Sequence, residues 1–189
     1  MDSTALVGGN IILARRTFVQ QRGGEALWEK VLARLPPDDQ KQLRRTMLVT
    51  ANWPLAMNLR LDEAIAAELW PGEPERAFLE MGRASAETNL RGTQAAFVKE
   101  GDPHHLLGFT ETIYAYYYGT GRRTYEKTGP HSATLVTHDA PPATPGDCLT
   151  VVGWHERALE LSGGLHVQVR ETRCRSRGDA VCEYQCSWE

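Results

Sequence analysis

The spacing of apolar residues changes once along the chain, at Gly121. Before this glycine, apolar side chains recur every three or four residues, as at Leu61 and Ile65, which is typical of amphipathic helices. After it, apolar and polar residues alternate, most clearly over residues 165–174, and alternation indicates half-buried strands. The sequence therefore predicts an α+β fold. We expect an N-terminal helical half packed on a C-terminal antiparallel sheet, with one crossing helix over residues 151–161.

Local signals divide the chain further. The predicted helices of the first half cover residues 25–35, 38–48, 61–69, 74–99 and 102–119. The predicted strands of the second half cover residues 122–127, 133–138, 165–174 and 181–188. We expect a single domain over residues 1–189, in which residues 1–121 form the helical half and residues 122–189 form the sheet with a hairpin.

Composition excludes several classes of protein. Hydrophobic residues make up 41% and charged residues 24%, which is ordinary for a globular domain. The net charge of −3 argues against non-specific nucleic-acid binding. No apolar run approaches the ~18–20 residues that a membrane-spanning helix needs, and residues 1–9 lack the pattern of a signal peptide. We therefore expect a cytoplasmic protein with no nucleic-acid or membrane partner.

Three of the four cysteines and one acidic residue follow the spacing C-x22-E-x2-C-x7-C. We call Cys148, Glu171, Cys174 and Cys182 the cysteine cluster. The last three lie around one predicted hairpin, and the carboxylate falls on its buried side, where it needs a partner. Three thiolates and a carboxylate suit tetrahedral zinc. Because this donor set leaves no open position for water, we expect the zinc to be structural rather than catalytic.

Other interpretations of these residues remain open. Cys186 is a rival ligand, although it lies roughly 13 Å along the strand from Cys182, at ~3.3 Å per residue. His155 is an alternative to the carboxylate, although it also suits a surface position at a helix start. The cysteines could equally be buried free thiols, since cysteine is among the most buried residue types.

The spacing of the cysteine cluster, with Gly178 and Asp179 ahead of Cys182, resembles the 4-vinyl-reductase-type small-molecule-binding domain. It is most similar to the sensor modules of aromatic-responsive bacterial transcription activators. In that family the corresponding residues hold a structural zinc ion, so the resemblance also implies zinc at the cysteine cluster. The wider fold group includes haem-based nitric-oxide sensors and vesicle-tethering subunits. The tyrosine-serine-arginine signature that contacts haem in those sensors is absent, so we expect no haem.

A second resemblance extends over nearly the whole chain. Residues 153–164, 171–174 and 182–188 are similar to an uncharacterised family of myxobacterial paralogues, the DUF2378 type. The activators continue into an ATPase and a DNA-binding module that residues 1–189 do not match. The histidine and tryptophan of their aromatic-sensing pocket have no clear counterpart here, so a phenol-type ligand is not carried over.

Aromatic residues late in the helical half indicate where a ligand would bind. Tyrosine supplies an apolar wall and one hydrogen bond, so these residues suit either a cavity or ordinary packing. The predicted pocket is formed by Phe109, Ile113, Tyr114, Tyr117 and Trp154.

These observations lead to two hypotheses about function. The first is a non-catalytic, zinc-stabilised sensor domain that binds a small apolar or aromatic molecule and regulates a homodimer or a partner protein. The second is a protein–protein interaction scaffold of the same fold without a ligand cavity. No nucleophile motif such as Gly-x-Ser-x-Gly is present, so we expect no enzymatic activity.

Overall fold

A computed structural model describes residues 5–141 and 144–189. Its helices, in chain order, are α1 (Gly9–Ala33), α2 (Pro37–Leu43), α3 (Leu55–Leu69), α4 (Pro74–Leu90), α5 (Pro103–Gly108), α6 (Thr110–Tyr117) and α7 (Pro145–Leu161). Its strands are β1 (Leu6–Gly8), β2 (Asn52–Pro54), β3 (Arg122–Gly129), β4 (Ser132–His138), β5 (Gln168–Arg173) and β6 (Cys182–Ser187). None of the described helices combines the length and the apolar character needed to cross a membrane.

The strands form two antiparallel sheets, and the predicted α+β class is confirmed. A four-stranded sheet has the order β3-β4-β6-β5. The strands β1 and β2 form a small ribbon, and they directly precede α1 and α3 in the chain. Leu135 of β4 lies opposite Tyr184 of β6, and both side chains are buried against the helices. The helical half therefore covers one face of the sheet.

Helix α7 is the predicted crossing helix, and it begins earlier than the sequence pattern indicated. Pro145 occupies its first turn, and the Thr144 hydroxyl caps it by accepting a hydrogen bond from the backbone N–H of Asp147 at 3.2 Å. The helix packs closely along α4. A Cβ on Gly153 would lie 2.1 Å from the Leu79 carbonyl oxygen, so only glycine permits this approach.

Three predicted elements have different boundaries in the structure. Helix α4 ends at Leu90 instead of residue 99, and a separate 3₁₀ turn follows at Ala95–Phe97. The helix predicted over residues 102–119 is interrupted at Phe109, directly after Gly108, because glycine destabilises the interior of a helix. The strand predicted from residue 165 begins at Gln168, since His166 adopts a positive φ of 47°.

Candidate functional site

The fold brings the four residues of the cysteine cluster together. Cys148 lies in the first turn of α7, Cys174 directly follows β5 and Cys182 opens β6. One donor atom from each of the four side chains lies within 4.8 Å of the other three. The Sγ atoms of Cys148 and Cys174 are 3.3 Å apart. The arrangement could hold a single metal ion.

The carboxylate of the cluster has an unsatisfied oxygen. The Glu171 side chain is 8% exposed, and its Oε2 accepts a hydrogen bond from Arg177 Nη1 at 3.1 Å. Its Oε1 is buried and has no hydrogen-bond partner among the described residues. A buried acceptor without a partner is costly, and a bound cation would remove that cost.

Neighbouring groups stabilise the thiolate of Cys182. The backbone N–H of Arg175 donates to Cys182 Sγ at 3.3 Å, and the Ser176 hydroxyl lies 2.8 Å from Cys174 Sγ. The pKa of Cys182 is lowered to about 6, first of all by the hydrogen bond from the Cys148 thiol. The pKa of Cys148 is raised for the same reason, because it retains the proton that the pair shares.

The rival ligands lie elsewhere. Cys186 is buried in the sheet, where it pairs with Ala133 of β4 and Val169 of β5. His155 is also buried, at 1% exposure, so it is not a surface residue. Its ring contacts Trp154 and Tyr184 instead of the cluster, because it lies two turns further along α7 than Cys148.

A second feature is a cavity of about 40 Å³ at the centre of the molecule. We call it the central cavity, and it lies between α1, α3, α4, α6, β3 and α7. A neighbouring cavity of about 30 Å³ shares part of its wall and reaches Cys148 and Cys182. Both cavities are lined by Tyr114, Tyr118, Arg123, Asp147 and Val151.

The predicted pocket residues divide into two groups. Ile113, Tyr114, Tyr117 and Trp154 line the central cavity. Phe109 lies outside it, is 37% exposed and packs on the ring of Phe97 at 5.1 Å. Phe109 is not part of the pocket wall, because it lies at the break between α5 and α6.

The aromatic wall is already hydrogen-bonded. The Tyr117 hydroxyl donates to Gln94 Oε1 at 3.2 Å and accepts from Trp154 Nε1 at 3.0 Å. The Tyr114 hydroxyl donates to the Thr120 carbonyl oxygen at 3.0 Å. Burial raises the pKa of Tyr114 to about 12, so this hydroxyl keeps its proton at neutral pH.

The central cavity also contains charged groups that were not among the predicted site residues. Arg15 of α1 forms a buried ion pair with Asp62 of α3. Asp147 of α7 and Arg123 of β3 also line the cavity, and burial raises the pKa of Asp147 to about 7. Arg15 could have been noticed, because it interrupts the apolar residues of 11–19; the other two carry no comparable signal.

His155 completes the polar side of the cavity. Its Nδ1 donates to the Val151 carbonyl oxygen at 2.9 Å, which leaves Nε2 free to accept from Arg123 Nη1 at 3.4 Å. Burial, followed by the charge of Arg123, lowers the pKa of His155 well below its ordinary value. The imidazole is therefore neutral in the folded protein.

Comparisons with known proteins identify relatives of the sequence and the fold. Residues 18–189 match the sequence profile of a family described as "Protein of unknown function (DUF2378)". No curated protein matches the chain.

Several solved structures share the fold. An H-NOX protein from S. oneidensis in the Fe(II)NO ligation state is 14% identical, with a TM-score of 0.72 over 96% of this chain and 99% of that one. An unliganded Fe(II) H-NOX protein from K. algicida is 11% identical, with a TM-score of 0.65 over 96% of each chain. An oxygen-binding H-NOX domain related to soluble guanylate cyclases is 10% identical, with a TM-score of 0.68 over 96% of this chain and 95% of that one.

These comparisons confirm one resemblance, leave the other unconfirmed and correct the cofactor prediction. The resemblance to the DUF2378 type is confirmed, whereas the 4-vinyl-reductase-type domain is not among the similar structures described above. Structural zinc as the cofactor is contradicted, because several of the similar structures are described with Fe(II) or haem. The zinc prediction depended on a motif within residues 148–182, whereas the likeness to H-NOX proteins covers 96% of the chain.

Proposed function

We propose, from the premise that this chain belongs to the DUF2378 family, that it is a non-catalytic domain that binds a small molecule in its central cavity and acts as a sensor. The observation that carries the proposal is an H-NOX-like fold with a buried cavity at its centre. The similar structures are described in complexes with small molecules, nitric oxide in one and oxygen in another. A cavity lined in part by α6 and α7 suits the same kind of role here.

Haem is the cofactor that the similar structures suggest, but the residues of the central cavity do not fit it. The cavity of about 40 Å³ has room for about three water molecules, whereas ligand pockets measure roughly 300–1,000 Å³. His155 lines it, but both of its ring nitrogens are engaged, by Val151 and Arg123. The hydroxyls of Tyr114 and Tyr117, as alternative iron ligands, are engaged as well. The proposed sensor therefore binds a smaller molecule than haem.

We also propose that the cysteine cluster is a binding site for one transition-metal ion. The support is geometric: four donors lie within 4.8 Å of one another, and the Oε1 atom of Glu171 has no other partner among the described residues. Thiolates favour soft transition-metal ions. Such an ion would join the start of α7 to the hairpin of β5 and β6, beside the wall of the central cavity.

Native mass spectrometry of the purified protein tests the sensor proposal. We expect a mass above that of the polypeptide that is lost on denaturation and is separate from any metal ion. The variant Ile113→Trp, which fills the cavity from α6, should lose this mass. Its control is Tyr116→Trp, because Tyr116 is on the same helix but is 56% exposed. A mass equal to that of the polypeptide, with or without a metal ion, and no change in melting temperature across a panel of small molecules would refute the proposal.

The second candidate function is a protein–protein interaction scaffold of the same fold. The small volume of the central cavity favours it, because side chains already fill most of the interior. In that case Ile113→Trp would alter stability alone, and light scattering after size exclusion would detect a homodimer or a partner complex whose formation needs no small molecule.

A further inference from the structure

Arg123 is a buried cation without an anionic partner. It is 8% exposed, and it forms no ion pair with any carboxylate in residues 5–141 or 144–189. Its hydrogen bonds go to neutral acceptors, the Thr137 hydroxyl at 2.8 Å and His155 Nε2 at 3.4 Å. The guanidinium lies over the rings of Tyr114 and Tyr184, at 5.0 and 5.5 Å from their centroids. These contacts position the charge but do not neutralise it.

Two acceptors in the same cavity lack donors. Asp147 is 6% exposed, and its Oδ1 is buried with no hydrogen-bond partner among the described residues. Asn58 of α3 is 1% exposed, and its Oδ1 is also buried without a hydrogen-bond partner among the described residues. Its Nδ2 donates to Asp62 at 3.4 Å. Arg15, the other cation of the cavity, is occupied by Asp62 and by the Met81 carbonyl oxygen.

A buried charge or a buried acceptor without a partner is costly, and the cost is removed when a ligand supplies the partner. The central cavity contains one group that needs an anion and two that need hydrogen-bond donors. Arg123 and Asp147 both line it, yet they do not pair with each other. A molecule with a positive amino group and an acidic group would satisfy both ends.

We propose that the central cavity is a binding site for a small zwitterion, a short-chain amino acid in chemical class, whose acidic group binds Arg123 and whose amino group binds Asp147 and Asn58. The inference rests on the proposed sensor function and specifies its ligand. The volume of about 40 Å³ limits the ligand to a few heavy atoms unless side chains move. The hydroxyls of Tyr114 and Tyr117 form the wall but are not required as partners, because their hydrogen bonds are already made.

Thermal denaturation of the wild-type protein with glycine and β-alanine tests this inference. The controls are ethylamine, which carries only the amino charge, and propionate, which carries only the acidic charge, at equal ionic strength. We expect glycine or β-alanine to raise the melting temperature in a saturable manner, because a ligand that binds only the folded state stabilises it. Each single-charge analogue should bind at least about tenfold more weakly, since it leaves one buried group unpartnered.

Two variants locate the site. Arg123→Gln should abolish the shift, whereas Arg122→Gln, at the exposed neighbouring position on β3, should retain it. If Arg123→Gln does not fold, saturation-transfer NMR on the wild-type protein replaces it, and glycine should receive magnetisation from the protein while ethylamine does not.

The possible failures are distinguishable. If an uncharged or apolar molecule co-purifies or raises the melting temperature while zwitterions do not, this inference is overturned and the sensor function stands. If zwitterions and single-charge analogues act equally, the ligand class is also wrong. If no small molecule binds and the purified protein has the mass of the polypeptide, with or without a metal ion, the zwitterion inference and the sensor proposal fail together.

Discussion

Arg15 of α1 and Asp62 of α3 form a two-bonded ion pair in the core. Arg15 Nε lies 2.6 Å from Asp62 Oδ1, and Arg15 Nη2 lies 3.0 Å from Asp62 Oδ2. Both side chains are almost fully buried, at 4% and 2% exposure. Because Arg15 also donates to the Met81 carbonyl oxygen of α4, this pair joins three helices beneath the central cavity.

Removing one partner of this ion pair should be strongly destabilising. Asp62→Ala leaves the Arg15 guanidinium buried without a carboxylate, and we expect a loss of about 3–5 kcal/mol in the free energy of unfolding. Urea denaturation measures the change. Glu29→Ala, which breaks the exposed pair with Arg44, should leave the midpoint nearly unchanged. If Asp62→Ala lowers the free energy of unfolding as little as Glu29→Ala does, the buried pair does not stabilise the fold.

The crossing of α4 and α7 should depend on glycine. In Gly153→Ala the new methyl group would meet the Leu79 carbonyl oxygen at 2.1 Å, so the helices must separate, at a cost of about 1–3 kcal/mol. Gly108→Ala at the end of α5 is the control, because a Cβ there meets nothing within 4 Å. Thermal denaturation compares the two variants, and a melting temperature for Gly153→Ala equal to that of the wild type would contradict the close packing.

Two buried cysteines provide a matched test of the metal proposal. Cys174→Ser removes one donor of the cysteine cluster, whereas Cys186→Ser changes a thiol in the middle of the sheet. Elemental analysis of purified protein should find a metal ion in the wild type and in Cys186→Ser, and most of it should be lost in Cys174→Ser. The loss of the metal ion should also lower the melting temperature of Cys174→Ser, because metal binding and folding are linked. Metal-free wild-type protein would count against the proposal.

The buried neutral imidazole of His155 should make the protein less stable in acid. In the unfolded chain it gains a proton below its ordinary pKa of 6.5, whereas burial and the charge of Arg123 hold the folded pKa well below that value. The unfolded state then binds more protons, so the free energy of unfolding falls as the pH drops below 6.5. The loss should reach at most about 1.4 kcal/mol per pH unit.

The variant His155→Gln isolates this contribution, since an amide can still accept from Arg123 but does not titrate. Asp147 contributes with the opposite sign, because its raised pKa of about 7 makes the folded state retain a proton, but this contribution is common to both proteins. Urea denaturation at several pH values measures the free energy of unfolding of the wild type and of His155→Gln. Below pH 6.5 this free energy should fall further in the wild type than in the variant. A difference independent of pH would show that His155 titrates normally in the folded protein.

Local patterns were sufficient for most of the helices, for the strands of the four-stranded sheet and for the hairpin. The alternation after Gly121 predicted strands that the sheet contains, and the interval between Cys174 and Cys182 matches a turn that returns the chain on itself. The same patterns misplaced the ends of α4 and the break at Phe109. Helix ends depend on packing with neighbours as much as on propensity, so a spacing rule extends a helix until a strong breaker occurs.

The sequence by itself determined the α+β class and the approach of Cys174 to Cys182, because these depend on residues within a few positions of each other. Only the tertiary structure decided that Arg15 meets Asp62, that Arg123 meets His155, and that Asp147 and Asn58 lack partners beside the same cavity. Each of these relationships joins segments far apart in the chain, and nothing in the local sequence of either segment encodes the position of the other. Whether a charged side chain is solvated or buried is set by what packs over it, so the polar interior of this domain emerges only when the helices and the sheet come together.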